Sequence, residues 1–186
     1  MIEPDRADVP ELVARCQRGD HLAFGELVRR EQQRVCQLAY RILGNSSELD
    51  DVVQEVFMAV YRRLSTFRGE AHFSTWVTRI AVNVCRRTLR RRRFSRLLFG
   101  PDLEREDAGR PLPLTVLERE EEARALTGAV ADLPEKLRLV VILRYYEELP
   151  CEEVAAALGC NVGTVRSRLF NARQQLKERM LAWEQE

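Results

Sequence analysis

Between Cys151 and Asn171 the chain carries side chains of the types that read a polyanionic duplex. Arg166, Ser167, Phe170 and Asn171 fall on one face of a helical stretch. An arginine, a hydroxyl, an aromatic ring and an amide can between them contact phosphates, base edges and the thymine methyl. They are available because the buried stripe of the same stretch is expected to be Val162, Val165, Leu169, Ala172 and Leu176, at helical spacing. The elements that must hold them follow from the twenty residues Cys151 to Phe170. Counting from Cys151, Ala155 is fifth, Gly159 ninth and Val165 fifteenth. Two helices crossing at a tight turn need a small residue at the contact, a conformationally permissive residue at the turn and a β-branched anchor on the second helix. The segment therefore reads as a helix-turn-helix. The alternative is a helical hairpin with a solvated basic face.

A second cluster is basic. From Arg79 to Arg96 there are eight arginines and no acidic residue, whereas Asp102 to Glu122 holds eight acidic residues against three arginines. The formal net charge of +1 is thus a sum of opposed blocks. Six of the eight positions from 86 to 93 are arginine. They run all round a helix, so they cannot all pair with internal acids, and phosphate contact is the economical reading.

Other chemistries are poorly supplied. Five cysteines (16, 36, 85, 151 and 160) form no Cys-x-x-Cys pair, and His21 and His72 lie far from any pair at metal spacing, so no metal site is expected. Cys16, Cys36 and Cys85 fall in amphipathic stretches, where a thiol behaves as a small apolar group. An odd cysteine count without a signal peptide points to a reducing cytoplasm. No apolar run approaches the roughly 20 residues that span a bilayer, so no membrane insertion is expected. No Gly-rich phosphate loop, nucleophile pair or carboxylate-histidine cluster suggests an enzyme, and no cofactor is expected.

The positioning elements are helical throughout. Leu12, Val13, Cys16, Ala23, Phe24, Leu27, Val28, Val35, Leu38, Ala39, Ile42 and Leu43 give two or three helices, broken at Arg18-Gly19-Asp20 and stopped at Gly44-Asn45. Ser46 or Ser47 can cap the next helix. That helix carries Leu49, Val52, Val53, Val56, Phe57, Val60 and Leu64 on one face, and Asp51, Gln54, Glu55 and Met58 on another. After a loop from Ser65 to His72, a further helix buries Phe73, Trp76, Val77, Ile80, Ala81, Val84 and Thr88. Thr75, Arg79, Asn83, Arg87 and Arg90 lie opposite. This domain is expected to end near Arg93. The Pro- and Gly-bearing stretch from about Ser95 to Thr115 reads as a flexible linker. Helices around Val116 to Ala131 and from Pro134 precede the helix-turn-helix. The expected fold is all-α: two small helical domains, residues 1–94 and 116–186, joined by a linker at 95–115.

The chain resembles the extracytoplasmic-function sigma factors of bacterial RNA polymerase. The matching residues are Asp50-Asp-Val-Val-Gln-Glu-Val-Phe57, Arg62-Arg63-Leu64, Phe67-Arg-Gly-Glu70, Phe73, Thr75-Trp76 and Arg79-Ile-Ala-Val-Asn83. Further on they are Leu133-Pro134, Glu152-Glu153-Val154-Ala155, Val162-Gly-Thr-Val-Arg-Ser-Arg-Leu169 and Ala172-Arg173. They span both expected domains in the family's order.

The resemblance implies a promoter-specificity subunit whose partners are core polymerase, through its β′ clamp and β flap, promoter DNA and commonly an anti-sigma protein. Asp50, Asp51, Gln54, Glu55, Phe57 and Met58 match the surface that docks the β′ coiled coil. A solvated face is the alternative for that stripe. Phe67, Arg68, Thr75, Trp76, Arg79, Asn83, Arg86, Arg87 and Arg90 match the reader of the minus-ten element. There an extruded base must be held by an aromatic pocket and an amide beside cations. Trp76 also fits the core stripe, and a core Trp is the reading its spacing favours. Thr164, Arg166, Ser167, Phe170, Asn171 and Arg173 match the reader of the minus-thirty-five element. Two positions depart from the family pattern: Asn171 stands where some relatives have Arg, and Pro150 where members often place a Ser cap. A stand-alone operator-binding regulator is the competing reading. It explains Cys151 to Phe170 but leaves the Asp50 to Leu64 face and the Phe67 loop without a task.

Overall fold

The computed structural model describes residues 9–44, 47–99 and 120–183, and every regular element among them is helical. The chain divides into two units, Met1–Asp107 and Ala108–Glu186. Residues 100–119, which hold most of the expected linker, lie outside the described residues.

The first unit contains α1 (Val9–Gln17), α2 (His21–Leu43), α3 (Leu49–Arg63) and α4 (Phe73–Phe99). Its first break is local chemistry. Gly19 takes φ 94°, and the Asp20 carboxylate caps α2 by accepting from the backbone N–H groups of Leu22 and Ala23 at 2.9 and 3.1 Å. Gly44, at φ 73°, ends α2. Leu27, Val35, Leu38, Ala39 and Ile42 of α2, Val52, Val56 and Val60 of α3, and Val77, Ala81, Val82 and Cys85 of α4 form the core. Two buried hydroxyls on α4 are satisfied within the helix: Thr78 donates to the Ser74 carbonyl and Thr88 to that of Val84. Arg34 of α2 bonds the Thr78 oxygen and the Ser74 carbonyl at 2.5 and 2.7 Å, tying α2 to α4.

Several expectations need correction here. The helix after Gly44 is not capped by Ser47. Its N-cap is Glu48, whose carboxylate makes no cap bond because Arg91 and Arg92 take it, and Ser46 lies outside the described residues. Leu49, Val53 and Phe57 are half-buried, so the apolar face of α3 is narrower than its periodicity suggested. The helix also stops at Arg63, and Leu64 opens a 3₁₀ turn to Thr66. Nor does α4 end near Arg93. It runs to Phe99, and Ser95 to Phe99, read as the start of the linker, are helical. Phe94, Leu97 and Leu98 are exposed on that extension, so nothing in their pattern marked a buried face.

The second unit contains α5 (Glu120–Ala131), α6 (Glu135–Val141), α7 (Cys151–Leu158) and α8 (Val162–Trp183). Residues 116–119, expected to begin its first helix, lie outside the described residues. Pro134 is the N-cap of α6, one place before the helix it was expected to open. The α6 axis continues through a π-helical turn, Ile142–Tyr146, and Glu148 takes φ 54° before α7. Val130, Leu133, Val141 and Ala172 are buried together, with Leu137 and Leu176 packed against them. The helix-turn-helix forms as its spacing required. Ala155 and Val165 are buried, and Gly159 takes φ 65°, ψ 43° while its N–H bonds the Ala155 carbonyl. Val162, placed in the buried stripe, is only half-buried.

A Cβ added at Gly159 meets nothing within 4 Å, so the requirement for glycine is one of backbone conformation alone. Gly159→Ala should therefore destabilise the second unit by about 1 kcal/mol, the cost of left-handed backbone for an L-residue. Denaturant unfolding of the variant checks this, and a loss several times larger would indicate a hidden clash.

Candidate functional site

On α3 the polar face stands clear of the core. Asp50, Asp51, Gln54 and Met58 are exposed, Met58 by 52%, while Phe57 and Glu55 are half-buried. The separation is sharp because Val52, Val56 and Val60, one helical face away, are almost wholly covered. Glu55 is not simply solvated: Arg87 of α4 pairs with it at 2.7 Å.

Phe67, in the segment after α3, is half-buried rather than fully exposed, edge-on to Phe73 at a centroid distance of 5.5 Å and tilted against Trp76 at 5.2 Å. Trp76 is half-buried too, so it belongs wholly neither to the core stripe nor to the surface. The three rings form an aromatic cluster beside Arg68, which is exposed, and Thr75 and Arg79, which are half-buried. Asn83 is exposed one turn beyond Arg79, and its amide donates to the Arg79 carbonyl at 2.9 Å. A ring cluster, an exposed amide and neighbouring guanidinium groups along one line of α4 suit an unstacked base and its backbone.

The arginine block is divided between two tasks. Arg92 donates to Glu48 at 2.8 Å and to the Leu43 carbonyl at 3.1 Å, and Arg91 also pairs with Glu48. Phosphate contact thus is not needed to account for Arg91 and Arg92, which share Glu48 inside the unit, whereas Arg87 pairs with Glu55 and keeps its side chain 66% exposed. Burial pushes the Glu48 carboxyl up, but hydrogen bonds from Arg92 and Arg91 outweigh it and hold the group below its ordinary value. Arg90 bonds only the Arg86 carbonyl, at 3.3 Å, and neither it nor Arg93 has an acidic partner among the described residues. Arg86 is half-buried on the same helix.

In the second unit, Arg166, Ser167, Phe170, Asn171 and Arg173 are all exposed, Phe170 by 56%, on the face of α8 opposite Val165, Leu169 and Ala172. Among the described residues Arg166 reaches only to Glu152, at 3.8 Å, with its side chain 71% exposed. Thr164 is half-buried and serves the helix start: its N–H and hydroxyl both bond the Asn161 side-chain oxygen, at 2.7 and 2.9 Å. Asn161 was missed in the sequence reading. An Asn three residues before a Thr at a helix entrance was the available signal. Glu48 was missed as well, because its partners lie 43 and 44 residues away.

Among the described residues no group of three or more His, Cys, Asp or Glu side chains could hold a metal ion, and no helix is long and apolar enough to cross a membrane. Cys85 is fully buried, and burial pushes its thiol up to about 12, so it is an inert packing group.

One unit displaying a helix-turn-helix and another displaying an aromatic cluster flanked by arginines define a two-domain, all-helical nucleic-acid-binding protein. Residues 27–95 match Sigma-70 region 2 and residues 123–176 match Sigma-70 region 4. Over 177 residues the chain is 39% identical to the ECF RNA polymerase sigma-E factor of Escherichia coli K12, covering 91% of this chain and 92% of that protein. The corresponding factor of Haemophilus influenzae is 38% identical, over 91% of this chain and 93% of its own. Among solved structures, CnrH in complex with the cytosolic domain of CnrY is similar, with TM-score 0.65, 28% identity and coverage of 92% and 96%. The sigma factor RpoE of Bartonella quintana, in complex with the anti-sigma factor NepR, shares the fold at TM-score 0.70 and 21% identity, with coverage of 84% and 96%. The chain belongs to the extracytoplasmic-function sigma factors: it binds core RNA polymerase, directs it to specific promoters and helps nucleate their melting. Its role is recognition within the transcription machinery. The stand-alone regulator is not favoured, since region 2 accounts for the unit that reading left without a task.

The division of the arginines is testable by stability. Arg92→Ala should lower the unfolding free energy by about 1–2 kcal/mol, since it removes charged hydrogen bonds to Glu48 and to Leu43. Arg90→Ala should change it by less than about 0.5 kcal/mol. Urea titrations distinguish the two. Because the Glu48 pKa is depressed in the folded state, its contribution is complete above its ordinary value of 4.5 and fades as the pH falls through the folded pKa. The difference between parent and Arg92→Ala should therefore shrink in acid.

Proposed function

We propose that this sigma factor divides its work over three surfaces. Asp50, Asp51, Gln54, Glu55, Phe57 and Met58 dock the coiled coil of the β′ clamp. Phe67, Arg68, Thr75, Trp76, Arg79, Asn83, Arg86, Arg87 and Arg90 take the minus-ten element and hold its opened strand. Thr164, Arg166, Ser167, Phe170, Asn171 and Arg173 read the minus-thirty-five element as duplex, in a second domain, residues 116–186, that also meets the β flap. Of these, Thr164 and Arg87 act through neighbours as much as directly, given their bonds to Asn161 and Glu55.

The observation that carries the docking assignment is the exposure of Asp51, Gln54 and Met58 on a helix whose other face is buried. An acidic and amide face beside an apolar edge suits a basic helix, setting orientation and encounter more than raw affinity. The protein works in the cytoplasm with the polymerase. An anti-sigma protein is a further partner, a reading supported by CnrH and RpoE each having been solved with one.

The double variant Asp51→Ala, Gln54→Ala should retain its helical circular dichroism and bind core polymerase at least tenfold more weakly, equivalent to ~1.4 kcal/mol. Parental affinity in a titration with purified core would sink the docking assignment. For the duplex reader, Arg166→Ala should cost roughly 1–3 kcal/mol and relax preference at one promoter position if the guanidinium pairs with a guanine edge. Transcription with core over a promoter library reads this out. A uniform loss across sequences would reassign Arg166 to a phosphate.

A further inference from the structure

The loop that presents Phe67 is held from a part of the chain that no promoter-reading motif includes. Gln17 is the last residue of α1, and its side-chain nitrogen donates to the Leu64 carbonyl at 3.0 Å and to the Phe67 carbonyl at 3.1 Å. Both partners are carbonyl acceptors, so only the NH₂ end of the amide can serve, and each of its two N–H groups has one use. The Leu64 carbonyl also accepts from the Phe67 N–H at 3.1 Å, closing the 3₁₀ turn that Gln17 then locks. Gln17 is itself fixed. Leu12 and Val13 bury α1 against the unit, and Arg15 grips Asp20, the cap of α2, through two bonds of 2.9 and 2.7 Å. Phe67 is therefore held twice: its main chain by Gln17, and its ring by Phe73 and Trp76.

We propose that Gln17 is a positioning residue for promoter melting, which pre-sets the Phe67 loop so that capture of an extruded base needs no further ordering of the protein. This rests on the assignment of Phe67 to base capture. Unstacking a base is costly, and a loop that must also be ordered at that moment adds its entropy to the barrier. A clasp formed before DNA arrives removes that addition.

The test uses reconstituted holoenzyme of full-length chain and core, with the variants Gln17→Met, Gln17→Glu and Phe67→Ala. The templates are a duplex promoter selected with the parental holoenzyme and the same promoter with a pre-opened bubble. Met keeps the length and loses both donors, while Glu turns an acceptor toward two carbonyls. Each Gln17 variant should bind core and form closed complex as the parent does, yet open the duplex about tenfold more slowly, the scale of two lost hydrogen bonds. Permanganate reactivity over time measures this, and the bubble template should recover most of the difference. If Phe67→Ala opens slowly while both Gln17 variants open at the parental rate, the positioning role is overturned and base capture stands. If Phe67→Ala itself opens at the parental rate, the base-capture reading fails, and the Gln17 role with it. If the Gln17 variants lose core binding or thermal stability in step with opening, and the bubble recovers nothing, the bonds are a structural clasp only and the proposal is overturned.

Discussion

The N-terminal unit depends on the burial of one broad face of α4. Val77, Ala81, Val82 and Cys85 are completely covered, and α2 and α3 both pack on that face. Removing this much apolar surface from water is the main favourable term in forming the unit. It also fixes the rotation of α4 about its axis. Once that rotation is set, Asn83, Arg87 and Arg90 stand exposed on the opposite side, with Arg87 reaching across to Glu55 of α3, whose Asp50, Asp51 and Gln54 are turned outward. The proposed DNA and polymerase surfaces are thus by-products of one packing arrangement.

A helix so rich in arginine strains such an arrangement, since crowded guanidinium groups repel one another. The fold relieves this by spending two acids on the near side. Glu48 takes Arg91 and Arg92, and Glu55 takes Arg87. Arg92 then reaches the Leu43 carbonyl at the end of α2, so a single side chain joins the end of one helix to the start of the next. What remains outward is a smaller cationic set than the sequence displays. Like charges beside a single strand raise affinity at low salt and lose it as counterions screen them, so the number left unpaired sets how salt-sensitive the grip is.

The C-terminal unit uses a different economy. Its helix-turn-helix buries the small Ala155 on α7 and the β-branched Val165 on α8, and the two helices pack against each other. Val165, Leu169 and Ala172 are the buried anchors near the start of α8, so the outward residues contribute little to stability. Arg179 pairs with Asp132 at 2.8 Å farther along, holding α8 to the end of α5 well away from that face.

Local spacing by itself determined much of this protein. The apolar periods located α2, α3, α4 and the outward face of α8, and the Ala155, Gly159 and Val165 positions specified the turn, because each of those signals lies within a few residues of what it controls. The break at Gly19 and the stop at Gly44 were legible for the same reason. Only the tertiary structure decided which arginines serve the fold, that Phe67 shares a cluster with Phe73 and Trp76, and that α4 runs to Phe99. It alone joined Gln17 to carbonyls 47 and 50 residues away. Hydrogen bonds and ion pairs between distant residues leave no period in the chain. Their partners exist only after burial of the apolar faces has set the rotation of each helix.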